Sequence, residues 1–326
     1  MTPETPKSSM DIMAERIQSC IKNPKVWGLF SKDFLDTFSK LGFSDHEAQE
    51  SLELISRFFS RVKDGQDLPH TEKRIRTLLN GSNVRGVDFA DVIEQELSGR
   101  ADIIYGQIEG PLKSLIGEDP AEWPFFDWGC GDAEVSRRIY DKLGLPVSTC
   151  DVRDYRSEEA KETGMPFFEV RNNQLYSDGK ILNPGDRLFR IGLMTNVAHH
   201  EADNEKLLES LSKHVSDYLV VIETVPDPHS EEDEQVERDR TFMNDYLYNR
   251  LFHDADVPVP GTYETREGWV ERFKKHGWEL VGEIEDLGYD QPTIQDYHVL
   301  YVFKRNDDLG LALKGTRNHI TGELNR

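Results

Sequence analysis

The sequence predicts an α/β fold: a doubly wound, mostly parallel seven-stranded sheet with an antiparallel edge strand, plus an N-terminal helical region. Three observations carry this. From about Arg100 onward, short apolar segments alternate with amphipathic ones, the pattern of strands crossing over through helices. One such segment, Phe125–Trp128, runs into two glycines one residue apart, Gly129 and Gly131, and then into a helix-forming stretch. The last two apolar segments have no helix between them, so they pair antiparallel at the sheet edge.

Before Arg100 the chain reads as short helices. Ser44-Asp45-His46-Glu47 has the form of a capping box, followed by Leu52, Ile55, Phe58 and Phe59 at helical spacing. Thr71 starts a second helix that ends at Asn80-Gly81, and a third runs from Val87 to Leu97, stopped by Ser98-Gly99. These elements carry no cluster of reactive side chains, so residues 1–100 are expected to be a cap or an oligomerisation region. Ala101–Ile116 reads as a helix weakened by Gly106, Gly110 and Pro111. Strands are expected at Pro124–Trp128, Val147–Val152, Pro166–Val170, Arg187–Met194, Tyr218–Glu223, Glu279–Glu285 and Tyr297–Lys304. Helices are expected at Glu134–Leu143, Asp203–His214 and Arg266–His276. The catalytic domain then spans 101–306, with 224–262 inserted as a lid over a substrate, and 307–326 is a polar tail.

Composition narrows the class. With 326 residues, 37% hydrophobic and 31% charged, the chain can bury a core without staples. Three cysteines without a Cys-x-x-Cys pair, and no basic-then-apolar start, point to a reducing cytoplasmic setting. No apolar run is long enough for a membrane helix. A net charge of −22 disfavours a phosphate-gripping surface, and so disfavours nucleic acid as a partner without excluding it.

The glycine turn lets backbone approach a nucleotide-like ligand. Asp151, 24 residues after Asp127, stands where an acid takes ribose hydroxyls, which fits either NAD or S-adenosylmethionine. Two details separate these ligands. Glu134 occupies the third glycine position of the dinucleotide fingerprint. Asp127 puts a carboxylate where a pyrophosphate would be repelled and an amino group welcomed.

Phe125 to Ala133, with Ala133 in the last glycine position, resembles the first motif of the class I S-adenosylmethionine-dependent methyltransferases. Ile191 to His200 resembles their fourth-strand motif ending in His-His, and Tyr218–Glu223 their fifth strand. The resemblance covers about two thirds of the chain, from Ile104 to Arg305. It implies a Rossmann-like fold with S-adenosyl-L-methionine as cofactor. It also implies a backbone cradle at Gly129, Cys130 and Gly131, with Asp127 toward the methionine amine and Asp151 toward the ribose. Val152, Asn172 and Asn196 are further cofactor-binding candidates. Arg190 departs from the family's acid at the start of its fourth strand, and Glu169, Asn172 and Asn173 all compete for the adenine amine.

Acceptor chemistry is expected from the long insertion. Asp245, Tyr246, Asn249 and His253 are candidates there, with His253 or His200 as a base; Asp290, Gln291 and His298 form a second group near the sheet edge. His199 and His200 are adjacent, without a carboxylate at ligand spacing, so no metal is expected. The expected activity is methyl transfer to an O or N nucleophile, most readily on a small molecule, with RNA or protein as alternative acceptors. Two other classes stay open: an NAD(P)-dependent oxidoreductase, and a catalytically silent cofactor-binding module. A homo-oligomer through the N-terminal helices is compatible with the sequence.

Overall fold

The computed structural model describes residues 8–62, 65, 67–81, 83–84, 87–182, 188–252, 257–285, 287 and 296–306. It contains a helical lobe and a sheet lobe. The helical lobe begins with α1 (Ser9–Lys22), α2 (Pro24–Leu41), α3 (Asp45–Phe59) and α4 (Asp67–Asn80). The Ser44/Glu47 capping box forms as the sequence predicts, each side chain bonding the other's backbone N–H. Phe30, Phe34 and Phe38, four residues apart on α2, are fully buried, each side chain contributing about 1.5–3 kcal/mol.

Two short strands, β1 (Asn83–Val84) and β2 (Val87–Asp88), precede α5 (Phe89–Leu115). Here sequence and structure differ. The two helices expected on either side of Ser98-Gly99 are one 27-residue helix, so the expected boundary at residue 100 falls inside an element. The physical reason is packing. Phe89 and Ile93 are buried in the helical core, while Tyr105, Ile108 and Leu112 are buried against the sheet, and burial at both ends overrides weak local propensity.

The sheet has nine strands: β3 (Phe125–Trp128), β4 (Val147–Asp151), β5 (Phe167–Arg171), β6 (Gln174–Ser177), β7 (Lys180–Ile181), β8 (Phe189–Thr195), β9 (Val215–Val225), β10 (Trp278–Ile284) and β11 (Tyr297–Arg305). Their spatial order is β10-β11-β9-β8-β3-β4-β5-β6-β7. The five strands β5-β4-β3-β8-β9 are parallel, and β11 runs antiparallel between β9 and β10. All seven expected strands are present. The two additional ones, β6 and β7, extend β5 by hairpins, the first turning through Asn172 and Asn173, both at positive φ. Helices α6 (Glu134–Leu143), α7 (Glu158–Glu162), α8 (Asn204–His214) and α10 (Arg266–Lys275) belong to this lobe.

The insertion after β9 forms α9 (Glu234–Tyr246), which continues into a π-helical turn at Leu247–Phe252. It packs into the core of the helical lobe through Phe242, Met243, Tyr246 and Leu251. Three ion pairs fasten it there: Arg16–Asp239 at 3.1 Å, Asp33–Arg240 at 2.6 Å and Glu72–Arg250 at 2.8 Å. The N-terminal helices and the insertion after β9 therefore share one hydrophobic core.

Candidate active site

A cavity of about 790 Å³ opens between the two lobes. One end is built by the turn after β3. Gly129 (φ +74°) and Gly131 (φ +53°) adopt the left-handed conformation that glycine tolerates. A Cβ on Gly129 would come within 2.5 Å of the Val197 side chain, whereas one on Gly131 would meet nothing within 4 Å.

Five backbone N–H groups of this turn are already satisfied. Gly129 and Cys130 both donate to the Cys150 carbonyl at 2.9 Å, and Ala133 donates to the Cys130 carbonyl at 2.8 Å. Gly131 donates to Asp151 Oδ2 at 2.9 Å, and Glu134 to Asp132 Oδ1 at 3.0 Å. A cradle aimed at a ligand, expected from the sequence, is corrected in this respect: the glycines give close approach, while their N–H groups fold inward.

Acids surround the same turn. Asp151 closes β4 and lines the cavity; besides Gly131 it binds the Val152 N–H at 2.7 Å, leaving lone pairs for a ligand's hydroxyls. Asp132 and Val152 line the wall beside it. Asp127 lies underneath, 2% exposed; its Oδ2 accepts the Ser136 hydroxyl at 2.6 Å and its Oδ1 has no partner. Burial pushes its carboxyl up to about 7 against the Ser136 hydroxyl, with the Asp151 and Asp132 charges adding to the rise. Asn196 (φ +54°) lines the cavity and also has a buried Oδ1 without a partner. Burial drives the Cys130 thiol far above its ordinary range, so it is no thiolate nucleophile.

The other end holds His199, His200 and Asp245. His199 Nδ1 lies 2.7 Å from Glu223 Oε2, and Glu223 Oε1 accepts the N–H groups of Val197 (3.0 Å) and Ala198 (2.7 Å). His200 Nδ1 lies 2.9 Å from the Pro258 carbonyl and donates to it, which leaves Nε2 with its lone pair. Asp245 accepts the Tyr263 hydroxyl at 2.5 Å on Oδ2 and the Asn249 amide at 2.6 Å on Oδ1. Burial pulls His199 down, but the Glu223 and Asp245 carboxylates outweigh it and hold the imidazole at about 10. Burial, aided by the charge on His199, lowers His200 to about 4. Burial raises Asp245, yet the two histidines and Tyr263 together keep it below the usual carboxylate range.

Arg100, Thr224, Tyr248, Asn249, Asp296 and His298 complete this wall. Burial and the Asp245 charge push Asp296 up to about 8, while burial and Arg100 bring His298 down to about 3.

Among the sequence candidates, Gly129, Cys130, Gly131, Asp151, Val152, Asn196, His200, Asp245, Asn249 and His298 meet in this cavity, and Asp127 lies just beneath it. Two candidates are corrected. Tyr246 is fully buried and turned into the helical lobe, its hydroxyl donating to Glu72 at 2.6 Å, so it is outside the cavity wall. Asn172 is an exposed turn residue between β5 and β6; Glu169 pairs with Arg171, and the wall at that end is built by Val152, Arg153, Tyr155 and Val170 instead. His253, Asp290 and Gln291 lie outside the described residues, as does the tail 307–326.

Sequence reasoning gave Glu223 and Arg100 no role in the site. Glu223 carried a signal, an acid inside the apolar run Tyr218–Val225, because such a residue needs a buried partner. Arg100 carried none, since only the continuity of α5 aims it inward.

The strand order, with the acid-flanked glycine turn at its centre, is that of a Rossmann-like doubly wound sheet. Neither a family model nor a curated protein sequence matches the chain. Similar solved structures include a magnesium protoporphyrin IX methyltransferase from Synechocystis with S-adenosylhomocysteine bound. It is 11% identical over 72% of this chain and 94% of that one, with a TM-score of 0.42. A Methanosarcina mazei S-adenosylmethionine-dependent methyltransferase is 15% identical, covering 60% and 96%, with a TM-score of 0.43. A protein that converts a disulfide bond into a thioacetal group in echinomycin biosynthesis is 19% identical, covering 65% and 87%, with a TM-score of 0.41. At these identities and scores, function has to be read from the cavity. Among the described residues, no helix is long and apolar enough to cross a membrane.

Proposed function

We propose that this protein is an S-adenosylmethionine-dependent methyltransferase acting on an oxygen or nitrogen of a small molecule. The observation that carries the reading is the electrostatic character of the glycine turn. Five of its N–H groups are consumed internally, and three acids (Asp127, Asp132 and Asp151) flank it, while Glu134 is paired with Arg137 and Arg138. A pyrophosphate would find repulsion and few donors there. A ligand carrying an ammonium and a sulfonium would find matching charge.

The residues fit such a cofactor. Asp127 and Asn196 each keep an orphaned buried oxygen beside the turn, and Asp151 retains acceptor capacity for ribose hydroxyls. Arg100 forms no ion pair among the described residues and lies in the wall, so it is the group assigned to the cofactor's carboxylate. When bound, the cofactor supplies a methyl group already activated by positive sulfur. The protein's part is then to orient a nucleophile, exclude water and help remove a proton. His200, Asp245 and Asn249 serve that part at the acceptor end, enclosed by Tyr248 and His298.

A small acceptor suits a cavity of about 790 Å³ between two lobes, together with a chain of net charge −22. Calorimetry with S-adenosylhomocysteine and with NAD tests the reading: micromolar binding of the first and none of the second is expected. Tight NAD binding alone would sink it. Methyl-labelled cofactor mixed with fractionated cell extract then reads the acceptor class, and label is expected in metabolites rather than in RNA or protein.

A further inference from the structure

We propose that His199, His200 and Asp245 form a binding site for one divalent cation of the zinc class at the acceptor end of the cavity. As the means of activating the acceptor, this rests on the methyl-transfer reading; as a metal site, it stands on its own geometry. Three donor atoms, one from each residue, lie within 4.8 Å of one another. Asp245 Oδ1 is 3.7 Å from His199 Nε2 and 3.9 Å from His200 Nε2. Both separations are too long for hydrogen bonds. Tetrahedral zinc with bonds of about 2.1 Å spaces its ligand atoms about 3.4 Å apart, and both Asp245 separations lie within a few tenths of an ångström of that spacing. Two histidines and one carboxylate are a three-ligand set, which leaves a fourth position for substrate or water.

The surroundings match what metal-bound histidines require. Each histidine has its Nδ1 engaged, His199 with the Glu223 carboxylate and His200 with the Pro258 carbonyl, so both Nε2 atoms are directed to the same place. Asp245 is itself held by Tyr263 and Asn249. Charge favours a cation as well. The Glu223 and Asp245 carboxylates stand against the two histidines, an arrangement that suits a divalent ion. No carboxylate stands at ligand spacing beside the two histidines in the chain; Asp245 supplies one from 45 residues beyond His200.

An ion there would lower the pKa of a coordinated acceptor hydroxyl, whose proton passes to water. The acceptor class that follows is a small molecule whose hydroxyl takes the one open position.

The full-length protein, stripped with chelator and dialysed, is titrated with ZnCl₂ by calorimetry, and a Co²⁺-loaded sample is examined in the visible spectrum. One zinc per chain with submicromolar affinity is expected, with the strong visible bands of four-coordinate Co²⁺. His200→Gln should weaken zinc binding at least 100-fold, and Glu223→Gln about 10- to 100-fold through the histidine it orients. S-adenosylhomocysteine calorimetry on the same samples checks that each variant still folds. The proposal is overturned if the wild type takes up neither ion, or if His200→Gln and Asp245→Asn bind zinc as tightly as the wild type. Zinc binding without S-adenosylhomocysteine binding would defeat the methyl-transfer reading and leave the metal site standing; the reverse result would defeat only the metal site.

Discussion

Replacing Asp127 by Asn should have opposite effects on stability and on cofactor affinity. The carboxyl is 2% exposed and its pKa stands at about 7 because burial disfavours its charge. A carboxyl raised above its unfolded value favours the native state fully below pH ~3.8, and that contribution is lost as pH rises through ~7. Three units correspond to about 4 kcal/mol as an upper bound, reduced by the cost of an unpaired amide in the variant. Above pH 7, Asp127→Asn should therefore unfold at higher urea concentration than the wild type, with a flatter pH dependence. Binding runs the other way. If a cationic ligand needs the ionised carboxylate, a pKa of 7 makes apparent affinity about elevenfold weaker than its limit at pH 6 and nearly full at pH 8. Calorimetry with S-adenosylhomocysteine across this range should show about a tenfold rise for the wild type, and weak, pH-independent binding for the variant. An unchanged pH slope in Asp127→Asn, or a variant less stable at pH 8, would refute this account of the turn.

Three further outcomes are expected. Arg100→Ala should weaken S-adenosylhomocysteine binding about 10- to 100-fold, the range of a lost charged hydrogen bond, with urea stability within about 0.5 kcal/mol. Gly129→Ala should destabilise by about 2–4 kcal/mol, from its positive φ and its collision with Val197, and adding Val197→Ala should recover only the collision part. Glu72→Gln should cost about 3–5 kcal/mol by removing the carboxylate that balances the buried Arg250 guanidinium, while Tyr246→Phe should cost about 1–2 kcal/mol and leave turnover intact, as urea unfolding and methyl-transfer assays would show.

What the sequence disclosed was local. The glycine turn, the acid closing β4 and the seven strands depend on short-range periodicity and turn chemistry, so their residues announce themselves. What it hid depends on partners far along the chain. Tyr246 lies on an aromatic helix face, and nothing nearby says whether that face meets substrate or Glu72, 174 residues away. Asn172 and Asn173 read equally well as amide ligands or as a tight turn until the β5–β6 pairing decides. Ser98-Gly99 looked like a helix stop because its local propensity is poor, and only the burial of residues on both sides shows why α5 passes through. Asp245 stands out in the sequence only by its position in the insertion, and its approach to the histidines comes from tertiary packing.

That approach explains why so many buried charges lie away from the cavity. Asp245 sits on α9, and α9 is tied to the N-terminal helices by Arg16–Asp239, Asp33–Arg240 and Glu72–Arg250. Such pairs add little net stability over apolar replacements, but each fits only one geometry. Pairs at residues 239, 240 and 250 bracket Asp245 and set the rotation and height of the helix that carries it. On the other side, Glu223 fixes His199 from the centre of the sheet. The distance between Asp245 and the histidines is thus decided where the two lobes meet, by residues that themselves touch no ligand. Helices α1, α2 and α4, which carry no cluster of reactive side chains, thus hold α9 through Arg16, Asp33 and Glu72.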